Sequence, residues 1–201
     1  MEPKTLDHVA LWVADRDPIS DFVVQRLGMH VVDQTDAFTL VGSDARRGKL
    51  TLFSADGPRE GEAYFDVSEG LRLGLVEAPT DVEYDLDHTA LFSATPEDTA
   101  RAYEQLGFNP SDSGPSGAPR VEVGGAYVEF HPGEPGDPEK PLLNHLAVLV
   151  DSADQHISEA NELGIEIDNV VDAANTLAVF VWGPERVRVE YVEHKPTFSL
   201  T

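Results

Sequence analysis

LDHTALF, residues 86–92, repeats a phrase that occurs twice more in the chain: LDHVALW from Leu6 and LNHLAVL from Leu143. In each copy a polar residue and a histidine lead an apolar run. A chain with only seven histidines that places three of them this way reads as a duplicated unit.

The repeat continues past the histidine. Gly28 follows His8 by twenty residues, Gly107 follows His88 by nineteen, and Gly164 follows His145 by nineteen. Each glycine stands after a leucine, at the end of a segment with helical apolar spacing. Glycine there predicts a helix C-terminus, because it enters the left-handed region without a Cβ clash. The helix starts agree. Thr95 precedes Pro96, Ser152 is followed three residues later by Gln155, and Asp17 precedes Pro18. Strand-like segments follow each Leu-Gly: HVVD, FTLVG and KLTLFSA; FNPSD, RVEVGG and AYVEFHP; EIDNVV, LAVFVW and VRVEYVE. The predicted class is α+β, built from βαβββ units at 5–56, 86–132 and 143–194. GPREGEAYFDVSEG reads as a loop. LRLGLVE, 71–77, reads as one more strand and as the remnant of a fourth, degenerate unit. The organisation expected is an N-terminal part, 1–85, with one unit and the degenerate strand, and a C-terminal part, 86–201, whose two units pair around a cavity.

Composition narrows the function. Thirty-seven acidic residues against fourteen basic ones give a formal net charge of −23. Phosphate backbones and anionic membranes demand clustered Lys and Arg, so nucleic-acid and membrane partners are not expected. The acids are spread along the chain, which implies a solvated acidic shell of the kind found in salt-accumulating halophiles. There are no cysteines, so a metal site must use His, Asp or Glu. No leader-like segment precedes the first motif, and a cytoplasmic protein is expected. Nucleotide-phosphate loops and nucleophile elbows are absent; GPSGAP, 114–119, reads as a turn-rich loop.

Strand residues alternate faces, so a first-strand histidine and a last-strand glutamate can look into one cavity. Glu129 follows His88 by 41 residues and Glu190 follows His145 by 45. A lone Glu among apolar strand residues calls for solvent, a partner or a metal. Unit one has Leu52 where that Glu would stand, so His8 reads as a relic of duplication. His30, His156 and His194 carry no pattern and read as surface. Trp12, Trp182 and Phe180 read as core or cavity wall.

The βαβββ repeat, the LDHxAL start, the Leu-Gly after the helix and the VEYV or VEFH ending resemble the vicinal oxygen chelate superfamily, which includes glyoxalase I, type I extradiol dioxygenases and bleomycin resistance proteins. The resemblance covers nearly the whole chain except 57–85. It implies a divalent metal held by first- and last-strand residues: His88, His145 and Glu190, with Glu129 as a further ligand. It implies a small-molecule substrate with vicinal oxygens, and pairing of units across a homodimer in some members. A two-histidine, one-carboxylate set suits Fe(II) or Mn(II) and an extradiol ring cleavage of a catechol-like substrate. His131 lies about where those enzymes carry an acid–base histidine. Phe180 stands where they usually carry a tyrosine. A four-ligand set with Glu129 resembles glyoxalase I, a lyase or isomerase that uses Zn or Ni. Metal-free small-molecule binding, as in the resistance proteins, is the third alternative.

Overall fold

The computed structural model describes residues 1–11, 13, 16–43, 62–68, 71–76, 86–114, 116–135 and 142–199. Unit one contributes strand β1 (Thr5–Leu11), helix α1 (Arg16–Leu27), and strands β2 (His30–Gln34) and β3 (Thr39–Gly42). The expected strand KLTLFSA and Trp12 lie outside the described residues. Strands β4 (Glu62–Ser68) and β5 (Leu71–Val76) form an antiparallel hairpin. Part of the expected loop 57–70 is therefore strand: Tyr64, Phe65 and Val67 supply the β-branched and aromatic residues that outweigh its Gly and Glu content.

Unit two contributes β6 (His88–Ser93), α2 (Pro96–Glu104), β7 (Asn109–Ser111), β8 (Arg120–Val123) and β9 (Ala126–Pro132). Unit three contributes β10 (Leu143–Leu149), α3 (Ala153–Leu163), β11 (Ile167–Asp172), β12 (Thr176–Trp182) and β13 (Arg188–His194). The helix ends follow the sequence signals. Ser152 Oγ accepts from the Gln155 amide, and Gly164 closes α3 at φ 70°. Asp17 and Pro18 fall inside the first turn of α1, which starts one residue earlier.

Sheet order decides which units cooperate. The larger sheet runs β1-β10-β13-β12-β11, and the smaller β6-β9-β8-β7. Within units two and three the first and last strands lie side by side and parallel: β6 with β9, and β10 with β13. Among the described residues the strands of units two and three lie in separate sheets. The first strand of unit three, β10, instead pairs antiparallel with β1 of unit one. Unit two meets unit three through other groups. Tyr191 Oη donates to the Leu106 carbonyl at 2.7 Å, and the Glu185 carboxylate accepts from Ser93 at 2.8 Å and Thr99 at 3.3 Å. One apolar core runs through all of this, with Tyr103, Phe130, Leu146, Val148 and Tyr191 fully buried.

Two irregularities in the β1–β10 ladder matter below. Leu6 faces Val148 while His8 faces Ala147, so Asp7 is an extra residue on β1. Ala10 faces His145 while Leu11 faces Leu143, so Asn144 is an extra residue on β10. Each is a bulge placed immediately before a histidine.

Candidate metal centre

The ladder registers lay out a row across the larger sheet. His8 faces Ala147, Ala147 faces Glu190, and Glu190 faces Phe180. Adjacent strands are ~4.8 Å apart, so His8 and Glu190 are separated at the backbone by about two such spacings. Ala147, fully buried with only a methyl group, leaves the space between them open. The two long side chains meet over it, with His8 Nε2 3.3 Å from Glu190 Oε2. His145 comes from the neighbouring rung. Its Nε2 lies 2.9 Å from Glu190 Oε2 and 3.0 Å from His8 Nε2.

The far nitrogens of the two rings fix what the near ones offer. His8 Nδ1 lies 2.8 Å from Asp7 Oδ2. A carboxylate only accepts, so Nδ1 carries the proton there. His145 Nδ1 lies 2.8 Å from Asn144 Oδ1, and the same Oδ1 receives Arg188 Nη1 at 3.2 Å. Arginine only donates, so that atom is an oxygen and His145 Nδ1 also carries a proton. In the neutral rings both Nε2 lone pairs then point at one place, together with Glu190 Oε2. That oxygen is buried, and its near polar neighbours are the two Nε2 atoms. Three electron-pair donors whose ligand atoms lie within 4.8 Å of one another need a cation between them: a proton or a metal.

The electrostatics describe the protonic state. Burial alone would lower the His8 pKa, but hydrogen bonds and charges from Asp7 and Glu190 hold it up at about 10. Burial, together with the charges of His8 and Arg188, keeps His145 below the usual histidine value against the pull of Glu190. Burial would raise Glu190, yet its hydrogen bonds to His145 and His8 hold it well below the usual carboxylate range. Without a metal, one proton therefore sits on His8, between two carboxylates.

The sheet face beside this group is apolar. Ala147, Ala178, Phe180 and Val192 form a small buried cluster. The Phe180 ring stands edge-on to His145 with centroids 5.1 Å apart. It brings no hydroxyl to the place opposite Glu190.

Of the residues singled out in the sequence, His145 and Glu190 are brought together, and the third member of the group is His8. His88, Glu129 and His131 lie on the smaller sheet. The local plan of unit two repeats that of unit three: Ala90 faces Glu129 as Ala147 faces Glu190, and His88 Nδ1 contacts Asp87 Oδ2 at 2.5 Å. The surroundings differ. Glu129 faces Arg120 across the ladder and lies 3.7 Å from its guanidinium and 3.4 Å from His131 Nε2. Among the described residues β6 pairs on one side only, with β9, and no described histidine faces Ala90 as His8 faces Ala147. His156 and His194 are not simple surface residues. His156 is buried and stacked on Tyr191, and His194 Nε2 lies 3.1 Å from Asp7 Oδ1. Sequence reading also passed over Asp7 and Asn144. The signal was present, since each histidine phrase has Asp or Asn just before the histidine.

Comparison with known proteins gives one family match over part of the chain and several solved structures of similar fold. Residues 5–84 match the model of the Glyoxalase/Bleomycin resistance protein/Dioxygenase superfamily. The match covers unit one and the β4–β5 hairpin. A Bacillus subtilis structure provisionally named a dioxygenase shares the fold over 97% of this chain and 86% of its own, with a TM-score of 0.68 at 15% identity. A glyoxalase-family protein of Bacillus anthracis aligns with 58% of this chain and 100% of its own, at 19% identity and a TM-score of 0.48. Lactoylglutathione lyase of Agrobacterium tumefaciens aligns with 57% and 95%, at 17% and 0.43. A search of the curated proteins finds no match. No helix among the described residues is long and apolar enough to cross a membrane.

Proposed function

We propose that the chain is a metal-dependent enzyme of this superfamily, with His8, His145 and Glu190 as ligands to one divalent ion. The observation that carries the reading is the convergence of two imidazole lone pairs and a buried carboxylate oxygen on one point. Two histidines and one carboxylate form the facial set that suits Fe(II) or Mn(II) and leaves positions open for substrate. The favoured reaction is accordingly an extradiol-type ring cleavage of a small catechol-like molecule bound through adjacent oxygens. Glu129, held by Arg120 and His131, does not join the group, which disfavours the four-ligand glyoxalase-like set.

When bound, the metal would supply Lewis acidity toward the substrate oxygens and a site for oxygen. The chain's own residues do the rest. His8, neutral once its proton is displaced, and His145 bind through Nε2, and Glu190 offsets charge. The apolar cluster around Phe180 excludes water from one side and offers a ring an aromatic wall. Phe180 cannot move a proton, and His131 lies on the other sheet.

The one specific observation for a second reading is that missing hydroxyl, which favours an isomerase or lyase of the glyoxalase type with Zn or Ni. Oxygen uptake with catechols by Fe(II)-loaded protein tests the first reading. Uptake that depends on His145 supports it. Turnover of an α-hydroxy carbonyl adduct by Zn- or Ni-loaded protein, with no oxygen uptake, supports the second.

A further inference from the structure

The two bulges raise a question that the ligands alone do not answer. In a regular strand Asp7 and His8 would point to opposite faces, and so would Asn144 and His145. A bulge bends the strand and re-aims a side chain. Here each bulged residue lies beside the ring of the histidine that follows it, close enough to accept its Nδ1 proton at 2.8 Å. The same device occurs on both strands of one antiparallel pair, and the Nε2 atoms of the two histidines it serves lie 3.0 Å apart.

Each acceptor is itself held from behind. Asp7, 7% exposed, has His194 Nε2 at 3.1 Å on its second oxygen. The His194 ring stacks on Phe198 with centroids 3.7 Å apart and planes 13° apart. Asn144 accepts from Arg188, whose other nitrogen pairs with Asp168 at 2.6 Å and whose guanidinium lies 4.6 Å from the Phe180 ring. A rotation of either acceptor would free the ring behind it to turn, or to carry its proton on Nε2, where it blocks ligation.

We propose that Asp7 and Asn144 are a matched pair of positioning residues that lock His8 and His145 in the Nδ1–H tautomer and so determine metal affinity. The inference rests on the His8–His145–Glu190 reading. Outer partners of this kind are worth about 10- to 100-fold in metal affinity. The pair is not chemically equal: unit one uses a carboxylate backed by a histidine, unit three an amide backed by an arginine.

The test is Zn(II) titration of the full chain against a chromophoric chelator, for the parent, D7A, N144A and N144D. Near-ultraviolet circular dichroism and thermal melting of each metal-free protein check the fold. D7A and N144A should each bind Zn(II) about 10- to 100-fold more weakly, and N144D should stay within a few-fold of the parent, because Asp can accept as Asp7 does. In proton spectra of the Zn(II)-loaded parent the downfield Nδ1–H signals of His8 and His145 should be present. D7A should lose or shift the first and N144A the second, an effect that general destabilisation would not produce. D7A or N144A binding as tightly as the parent, or N144D failing as badly as N144A, overturns the inference. If D7A does not fold, N144A and N144D decide it from the other strand. A parent that takes up no Zn(II), Fe(II) or Mn(II) contradicts the metal reading itself, whereas a parent that binds with unaffected variants removes this inference alone.

Discussion

His8 Nε2 and His145 Nε2 stand 3.0 Å apart although 137 residues separate them in the chain. The contact exists because β1 and β10 pair antiparallel, with each histidine next to a bulge. It makes the candidate site a joint product of units one and three.

The row His8–Ala147–Glu190 predicts a steric dependence. Replacing Ala147 by Leu puts a branched side chain where His8 and Glu190 meet. A147L should weaken metal binding at least tenfold, with overpacking costing ~1–3 kcal/mol of stability. Isothermal titration and chemical denaturation read the two effects separately. Binding equal to the parent's would show that the space over Ala147 is not needed.

Metal uptake should rise with pH. His8 holds a proton up to about pH 10 in the metal-free protein, and a metal must displace it. Affinity should therefore climb by roughly tenfold per pH unit between about pH 7 and 9, with about one proton released per metal bound. Calorimetry in buffers of different ionisation enthalpy counts that proton. Release of none across this range would contradict the assignment of the proton to His8.

Stability of the metal-free protein should move the opposite way. The folded pKa of His8 is raised above its ordinary 6.5. Its contribution is thus fully present below pH 6.5 and is lost as pH rises through 10. Glu190 is depressed below its ordinary 4.5, so its contribution is present above that pH and is lost on acidification through its lower folded value. Thermal melting of metal-free protein should fall from pH 6.5 toward 10, and H8Q should flatten that slope. An unchanged slope in H8Q would assign it to other groups.

The Tyr191 hydroxyl, buried and bonded to the Leu106 carbonyl, ties unit three to unit two away from the site. Y191F should cost about 1–2 kcal/mol in denaturant unfolding and leave metal affinity unchanged. A change in metal affinity would show that the unit two–unit three contact shapes the site.

The net charge of −23 predicts that salt stabilises the fold by screening self-repulsion. The melting temperature should rise by several degrees between 0.1 and 2 M KCl. A flat or falling profile would argue against the saline-environment reading of the composition.

Much of this was legible in the sequence, and the parts that were not have physical reasons. The Leu-Gly helix ends, the strands of units two and three, and the opposition of a first-strand histidine to a last-strand glutamate follow from local periodicity. His145 and Glu190 stand out that way. His8 has no strand-end Glu in its own unit, and the Glu190 carboxylate beside it comes from unit three through the pairing of β1 with β10. Sequence pattern does not encode which strand edges meet. Asp7 and Asn144 were missed for a related reason: a bulge inserts one residue without disturbing the apolar rhythm on either side. His194 lacked a pattern because it serves Asp7 rather than the cavity.

The central claim is tested most directly by metal content. The parent, H8A and H88A would be purified without chelators or a histidine tag, loaded with Fe(II) under anaerobic conditions, and analysed for bound metal after desalting. About one ion per chain is expected in the parent and in H88A, and none in H8A. Retention of metal by H8A together with its loss from H88A would contradict it and return the site to units two and three.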